Sequence, residues 1–143
     1  MQLKDIMTKE IEYCHPDCAL REAAEKMKLH NVGAMPICDG DRIRGILTDR
    51  DITVRAIAEG RDPNSTKVRD IMTHAVTCAY EDQGLQEAAM LMELKRVRRL
   101  PVLNRSHQLV GIVSIDDLEV QARQMEKLAS EVLAGVAATG PGH

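Results

Sequence analysis

Aromatic side chains are nearly absent from this chain of 143 residues, which holds two tyrosines and neither phenylalanine nor tryptophan. Its core must be assembled from Ile, Leu, Val, Ala and eight methionines. A flat ligand would have to pack on aliphatic groups rather than stack on rings. Long apolar runs are missing too: no stretch approaches the roughly 18 residues that a membrane-spanning helix needs. The start, Met-Gln-Leu-Lys-Asp, lacks the apolar segment of a secretion signal, so a cytoplasmic location is expected. There is no basic excess, since 19 Lys and Arg stand against 22 Asp and Glu for a net charge of −3. That balance argues against nucleic acid as a partner. The chain has no Gly-rich phosphate loop, no His-Glu-x-x-His and no nucleophile elbow. Its histidines, at 15, 30, 74, 107 and 143, fall at no metal-ligand spacing. A non-enzymatic protein with no obligatory cofactor and no metal is the expectation.

Four cysteines, at 14, 18, 38 and 78, form no C-x2-C pair. In a cytoplasmic chain they are not expected to form disulfides. Cys14-His15-Pro16-Asp17-Cys18 reads first as a strand end and a turn whose thiols act as small hydrophobes. A metal site is the competing reading, and it must meet the strict ligand count of zinc.

What the chain does have is a duplication. Leu3-Lys-Asp-Ile-Met-Thr8 returns as Val68-Arg-Asp-Ile-Met-Thr73, an offset of 65. Leu20, Ala23, Ala24, Met27 and Pro36 reappear as Leu85, Ala88, Ala89, Met92 and Pro101. One extra residue near Ser106 then moves the offset to 66, so Gly45-Ile-Leu-Thr-Asp-Arg-Asp51 matches Gly111-Ile-Val-Ser-Ile-Asp-Asp117. Copies of about 60 residues bury too little surface to stand comfortably alone, and the two should share one core. A pseudo-symmetric pair also creates two equivalent clefts, where function is to be sought.

Each copy shows the same order of elements. Residues 10–14 and 75–79 are rich in β-branched residues and predict short strands. The i, i+3, i+4, i+7 spacing of Leu20, Ala23, Ala24 and Met27, and of Leu85, Ala88, Ala89 and Met92, predicts helices. Ala19 and Gly84 stand at their N-caps, and Ala is a poor cap. A hairpin follows, Ala34–Cys38 and Ile43–Leu47 around Asp39-Gly40-Asp41, then Leu100–Leu103 and Gln108–Val113 around Asn104-Arg105-Ser106. Pro36 and Pro101 suggest open sheet edges. Thr48 and Ser114 are N-cap candidates for a last helix, with Asp51 and Asp117 three residues on. The first of these helices should stop at Gly60. The second carries a heptad-like stripe, Leu118, Ala122, Met125, Ala129, Val132 and Val136. It could pack on its own domain or pair with the same helix of a second chain. The expected division is a first repeat at 1–62, a linker at 63–67, a second repeat at 68–122, a helical extension at 123–138 and a disordered tail at 139–143.

The duplicated β-α-β-β-α order, Asp-Ile-Met-Thr at both repeat starts, the Pro36 and Pro101 strands, and GILTDRD with GIVSIDD together resemble the cystathionine-β-synthase (CBS) domain pair, of the small stand-alone bacterial type. The resemblance spans residues 1 to about 125. It implies an α/β fold of two CBS repeats packed as one pseudo-twofold pair, with an extended C-terminal helix. It further implies a regulatory or sensor module that binds AMP, ADP, ATP or a similar adenosine-containing ligand in the inter-repeat clefts. Homodimers that stack into a four-repeat disc are implied as well, with signalling through the dimer or to a regulated protein partner. A helix N-terminus suits a phosphate, Thr48 or Ser114 adds a hydroxyl there, and Asp51 or Asp117 can accept from ribose hydroxyls. The same Thr/Ser-x-x-Asp pattern is also a capping box that needs no ligand.

The copies differ in charge. Thr48, Arg50 and Asp51, with Arg44 and Arg55 nearby, face Ser114, Asp116 and Asp117 in the second copy. Asp116 is expected to weaken phosphate binding beside Ser114. Arg98 and Arg99 match positions that family members use to reach phosphates, and across the pseudo-twofold axis they could serve the other copy's nucleotide. They could equally be solvated cations at a helix C-terminus. A structural dimerisation module with empty clefts is the alternative, and a thiol- or metal-based redox sensor would rest on the four cysteines alone.

Overall fold

A computed structural model describes residues 1–139 of the chain. The first half holds α1 (Leu20–His30), β1 (Ala34–Asp39), β2 (Arg42–Thr48) and α2 (Asp49–Asp51), which continues as a π-helical stretch, Ile52–Ile57. The second half holds β3 (Ala79–Tyr80), α3 (Leu85–Lys95), β4 (Arg99–Leu103), β5 (Leu109–Ser114) and α4 (Ile115–Thr139). Short 3-10 turns, Leu3–Asp5 and Val68–Asp70, open the halves. The helical spacing translates into burial: Leu20, Ala23 and Met27 of α1, and Ala88 and Met92 of α3, are buried. Both helices stop at a left-handed residue, Asn31 (φ 53°) and Arg96 (φ 55°), the conformation that satisfies the last carbonyls of a helix. In the first hairpin the left-handed position falls on Gly40 (φ 63°), where glycine costs nothing. The second hairpin has no glycine there and uses His107 (φ 62°).

Two expectations change, and one open choice narrows. Residues 10–13 form no strand, and only Cys14 bridges to Ile37; in the second copy pairing begins at Ala79 rather than 75. Residues of these segments line the clefts, and among the described residues no backbone hydrogen bond ties 10–13 or 75–78 to a strand. Pro101 sits in the central strand of the β3-β4-β5 sheet, not at an edge. It is tolerated because β3 joins β4 only at Val102 and Leu103, so the missing N–H falls outside that ladder. Finally, α4 does not pack along its stripe. Leu118 is buried, whereas Met125, Leu128, Val132 and Leu133 are exposed on the single chain. Thr139 ends this helix, and residues 140–143 of the expected disordered tail lie outside the described residues.

The two halves exchange their opening segments. Leu3, fully buried, packs with Ala79, Ala88, Met92, Leu100, Val102 and Val113 of the second half. Val68, Ile71 and Met72 pack with Leu20, Met27, Met35, Ile37 and Leu47 of the first. The backbone repeats the exchange with pseudo-twofold fidelity. The Leu3 amide donates to Gln83 O at 2.9 Å, and the Val68 amide to Cys18 O at 2.9 Å. The Thr8 amide donates to Ile112 O at 2.9 Å, and the Thr73 amide to Ile46 O at 2.8 Å. Each opening methionine lies on the other half's hairpin glycine, Met7 on Gly111 and Met72 on Gly45.

A Cβ at Gly45 would stand 2.8 Å from both the Thr73 carbonyl oxygen and Met72 Sδ. Gly45→Ala is therefore expected to destabilise the protein by about 1–3 kcal/mol. Gly111→Ala should cost less, because a Cβ there meets the flexible Met7 side chain first. Urea unfolding of both variants checks this, and a larger loss for Gly111→Ala would contradict it.

Candidate functional site

Each β2-to-α2 type turn is closed by a reciprocal capping box. Thr48 Oγ1 accepts from the Asp51 amide at 3.0 Å, and Asp51 Oδ2 accepts from the Thr48 amide at 3.0 Å. In the second half the Asp117 amide donates to Ser114 Oγ at 3.1 Å, and the Ser114 amide to Asp117 Oδ2 at 2.9 Å. The pattern thus does its structural duty, which is worth about 0.5–2 kcal/mol at a helix N-terminus. The first box carries more. Thr73 Oγ1 reaches both Asp51 carboxylate oxygens at 3.4 Å. Arg55 Nε lies 3.9 Å from Asp51 Oδ1, while the same guanidinium donates to the carbonyls of Ile71 and Met72 at 3.2 Å each. The Asp51 side chain is only 12% exposed. It is held by groups from both halves yet keeps acceptor capacity, because a carboxylate offers about four lone-pair sites.

Thr48 and Thr73 open onto a cleft of about 520 Å3 between the halves. Its apolar walls include Pro36, Ile46, Val97, Pro101 and Ile112, and its polar lining includes Thr77, Arg98 and Arg99. The pseudo-twofold mate is a cleft of about 350 Å3 at Ser114 and Asp117. There Thr8, Glu10 and Glu12 stand where Thr73, Ala75 and Thr77 stand in the first. Both volumes exceed the lower bound of about 300 Å3 for small-molecule sites.

Among the sequence candidates, Thr48, Arg98 and Arg99 therefore line one cleft, and Ser114, Asp117 and Arg99 the other. Asp51 lines neither, its carboxylate being bonded to the Thr48 amide and Thr73 Oγ1, and Arg50 lines neither; it is exposed on α2, its amide donating to Asp49 Oδ1 at 2.8 Å. Asp116 lines neither as well. Its side chain is 76% exposed, and Arg98 pairs with it at 3.6 Å. The negative character of the Ser114 cleft comes instead from Glu10 and Glu12, which sequence reasoning passed over along with Thr73 and Thr77. The two-residue alternation at 8, 10, 12 and at 73, 75, 77 was the signal that could have found them.

The family model of the CBS domain matches residues 3–56 and 68–119. The chain belongs to the CBS-domain family. It is 38% identical over 128 residues to the CBS domain-containing protein YhcV of Bacillus subtilis, covering 90% of each chain. The structure of Hypoxic Response Protein I, which holds two coordinated zinc ions, superimposes with a TM-score of 0.76 at 36% identity over 85% of this chain and 98% of that one. The CBS domain pair of protein MJ0100, in complex with 5-methylthioadenosine and S-adenosyl-L-methionine, gives a TM-score of 0.73 at 29% identity over 87% of this chain and 98% of that one. CBS pairs of this stand-alone kind are regulatory modules. The two matched segments are the two CBS repeats, and the clefts between them are the candidate site.

No group of three His, Cys, Asp or Glu side chains is placed to hold a metal among the described residues. The four thiols are free, and Cys14 and Cys38 are buried. Burial pushes Cys14, Cys38 and Cys78 up to about 11, Lys26 offsetting only part of the effect at Cys14. Cys18 is also raised, by burial and then by its hydrogen bond to Glu22. Such thiols are poor nucleophiles at neutral pH. Because folding raises these pKa values, the folded state is favoured below the unfolded value near 9 and loses that advantage as pH rises through about 11. Labelling by a disulfide reagent at neutral pH should be slow in the folded protein and fast in urea, and stability should fall above about pH 9. Fast labelling of the native thiols would contradict the burial argument.

Proposed function

We propose that this CBS pair is a non-enzymatic regulatory module that binds an adenosine 5′-phosphate in the cleft at Thr48 and Asp51. The observation that carries the proposal is a cleft with apolar walls that Thr48, Arg98 and Arg99 share, with a shielded Asp51, anchored from both repeats, bonded to Thr48 and Thr73 at its edge. The adenine would lie between aliphatic groups, which the shortage of aromatic residues requires. The ribose hydroxyls would donate to Asp51, and Arg98 and Arg99 would take the phosphate, as guanidinium forks do. MJ0100, a relative of the same fold, binds two adenosyl compounds, which supports the ligand class. The Ser114 cleft suits a phosphate less well. A carboxylate about 4 Å from a phosphate is unfavourable by up to about 4 kcal/mol at an effective dielectric near 20. The exposure of Glu10 and Glu12, and the 3.3 Å pairing of Glu12 with His30, reduce that figure.

Calorimetry with AMP should show one tighter site per chain. Asp51→Asn, which keeps an acceptor for the Thr48 amide, should weaken it by about 1.5–3 kcal/mol. Arg98→Ala should weaken AMP but not adenosine, and 2′-deoxy-AMP should bind the wild type as poorly as AMP binds Asp51→Asn. Tightest binding at the Ser114 cleft would overturn the choice of cleft, and no binding of any adenosyl compound would favour a purely structural module.

We also propose a homodimer. Leu29, Met90 and Leu94 on α1 and α3 are 64–78% exposed, and Leu128 and Leu133 on α4 are 61% and 69% exposed. Apolar faces of this extent are unusual on a monomer. Light scattering should report a dimer at micromolar concentration. Truncation after Arg123 separates α4 from the repeat faces as the contact, and a monomer for the full chain would refute the proposal.

A further inference from the structure

A third cavity, of about 710 Å3, lies at the turn end of the hairpins and outside both clefts. Arg42 and Arg44 of β2 line it together with His74, Cys78, Tyr80 and His107, and no carboxylate is among its lining residues. Arg42 is held in place, its guanidinium donating to Ser106 O at 3.0 Å and lying 3.9 Å from Asp41. His107 sits edge-on to the Tyr80 ring, with centroids 5.9 Å apart. Among the described residues, the Arg44 and His74 side chains make no hydrogen bond or ion pair. Arg42 and Arg44 lie two residues apart on β2, Arg44 being the extra residue where the β1–β2 register shifts, and both line the cavity. Such a pair repels itself when empty and fits two negative groups of one small molecule. The arrangement is not a by-product of the repeat: at the 66-residue offset Arg42 and Arg44 become Gln108 and Val110.

The wall between this cavity and the Thr48 cleft is a single stretch of chain. Thr73, Ala75 and Thr77 face the cleft, while His74, Val76 and Cys78 face the cavity. Residues 74–78 pair with no strand, and Thr73 ends at the Asp51 carboxylate. Displacement of any alternate residue therefore bears on both spaces at once.

We propose that this cavity is a second binding site, for a small anion carrying at least two phosphate or carboxylate groups, and that residues 73–78 couple its occupancy to the Thr48 cleft. The anion would bridge the two guanidinium groups, with imidazole donors of His74 and His107 completing its shell. The coupling rests on the adenosine-phosphate reading of that cleft, whereas the anion site does not.

The test is calorimetric titration of the full chain with pyrophosphate and, separately, with citrate, each repeated in saturating AMP. One anion per chain is expected, weakened at least about tenfold by Arg44→Ala, the loss of a charge-assisted bond, and unaffected by Arg98→Ala. Binding of pyrophosphate alone assigns phosphate groups, and binding of citrate alone assigns carboxylates. AMP and the anion should shift each other's affinity by the same factor, as linkage requires. Binding of neither anion, or anion binding abolished by Arg98→Ala and kept in Arg44→Ala, would overturn the site. Equal AMP affinity with and without the bound anion would overturn the coupling. A chain that binds pyrophosphate through Arg44 but never AMP would sink the adenosyl reading and leave the anion site standing.

Discussion

The exchange of opening segments is the constraint on which the rest of the structure depends. Neither repeat can close its own core, because the turn that fills it belongs to the other. Met7 covers Gly111 and Met72 covers Gly45, so the hairpin of each half is pinned from across the pseudo-twofold axis. Removing either segment would expose apolar surface in the opposite half, and small repeats have little stability to spare. The clefts follow from the same exchange. Thr8 and Thr73 hydrogen-bond to the last strands of the other half, and the chain beyond each of them forms one wall of a cleft whose opposite wall carries the capping box.

This origin explains why the two clefts are related yet unequal. Their frames repeat: a threonine, a proline strand and a Ser/Thr-x-x-Asp turn. Their charges do not, because side chains that point into a cleft are free of the packing that constrains the frame. One cleft carries Thr77 and Arg98, the other Glu10 and Glu12, while Arg99 borders both. The same freedom allowed Arg42, Arg44 and His74 to collect on the far side of the wall. A regulatory pair gains from such inequality, since two identical clefts could report only one kind of ligand.

Asp51 illustrates how one group can serve structure and recognition together. Its carboxylate caps α2, ties to Thr73 and lies beside Arg55, which in turn binds the carbonyls of Ile71 and Met72. A ligand hydroxyl that competes for Asp51 would disturb contacts reaching both repeats. Asp117 has its cap but, at the equivalent of Arg55, Gln121. Occupancy of the first cleft is therefore the one with a built-in route to the rest of the fold.

The sequence by itself determined the duplication, the helices of each copy, the hairpins and the capping turns. These depend on local spacing: a 3.6-residue period buries Leu20, Ala23 and Met27 whatever lies beyond, and Thr48 finds Asp51 within one turn. It also marked Thr48, Ser114, Asp117 and the arginines as candidates, and Thr48, Arg98 and Arg99 do share a cleft. Only the tertiary structure decided that the opening segments cross over, that Arg50 and Asp116 face away from the clefts, and that Glu10 and Glu12 enter one of them. Residues 10–13 and 74–78 carry strand-like composition, but a strand needs a partner, and partners are set by the packing of distant segments. The stripe of α4 is legible in the sequence for the same reason that its cover is not: Met125, Val132 and Leu133 stay exposed on the chain, since burial needs a facing surface that local spacing does not supply.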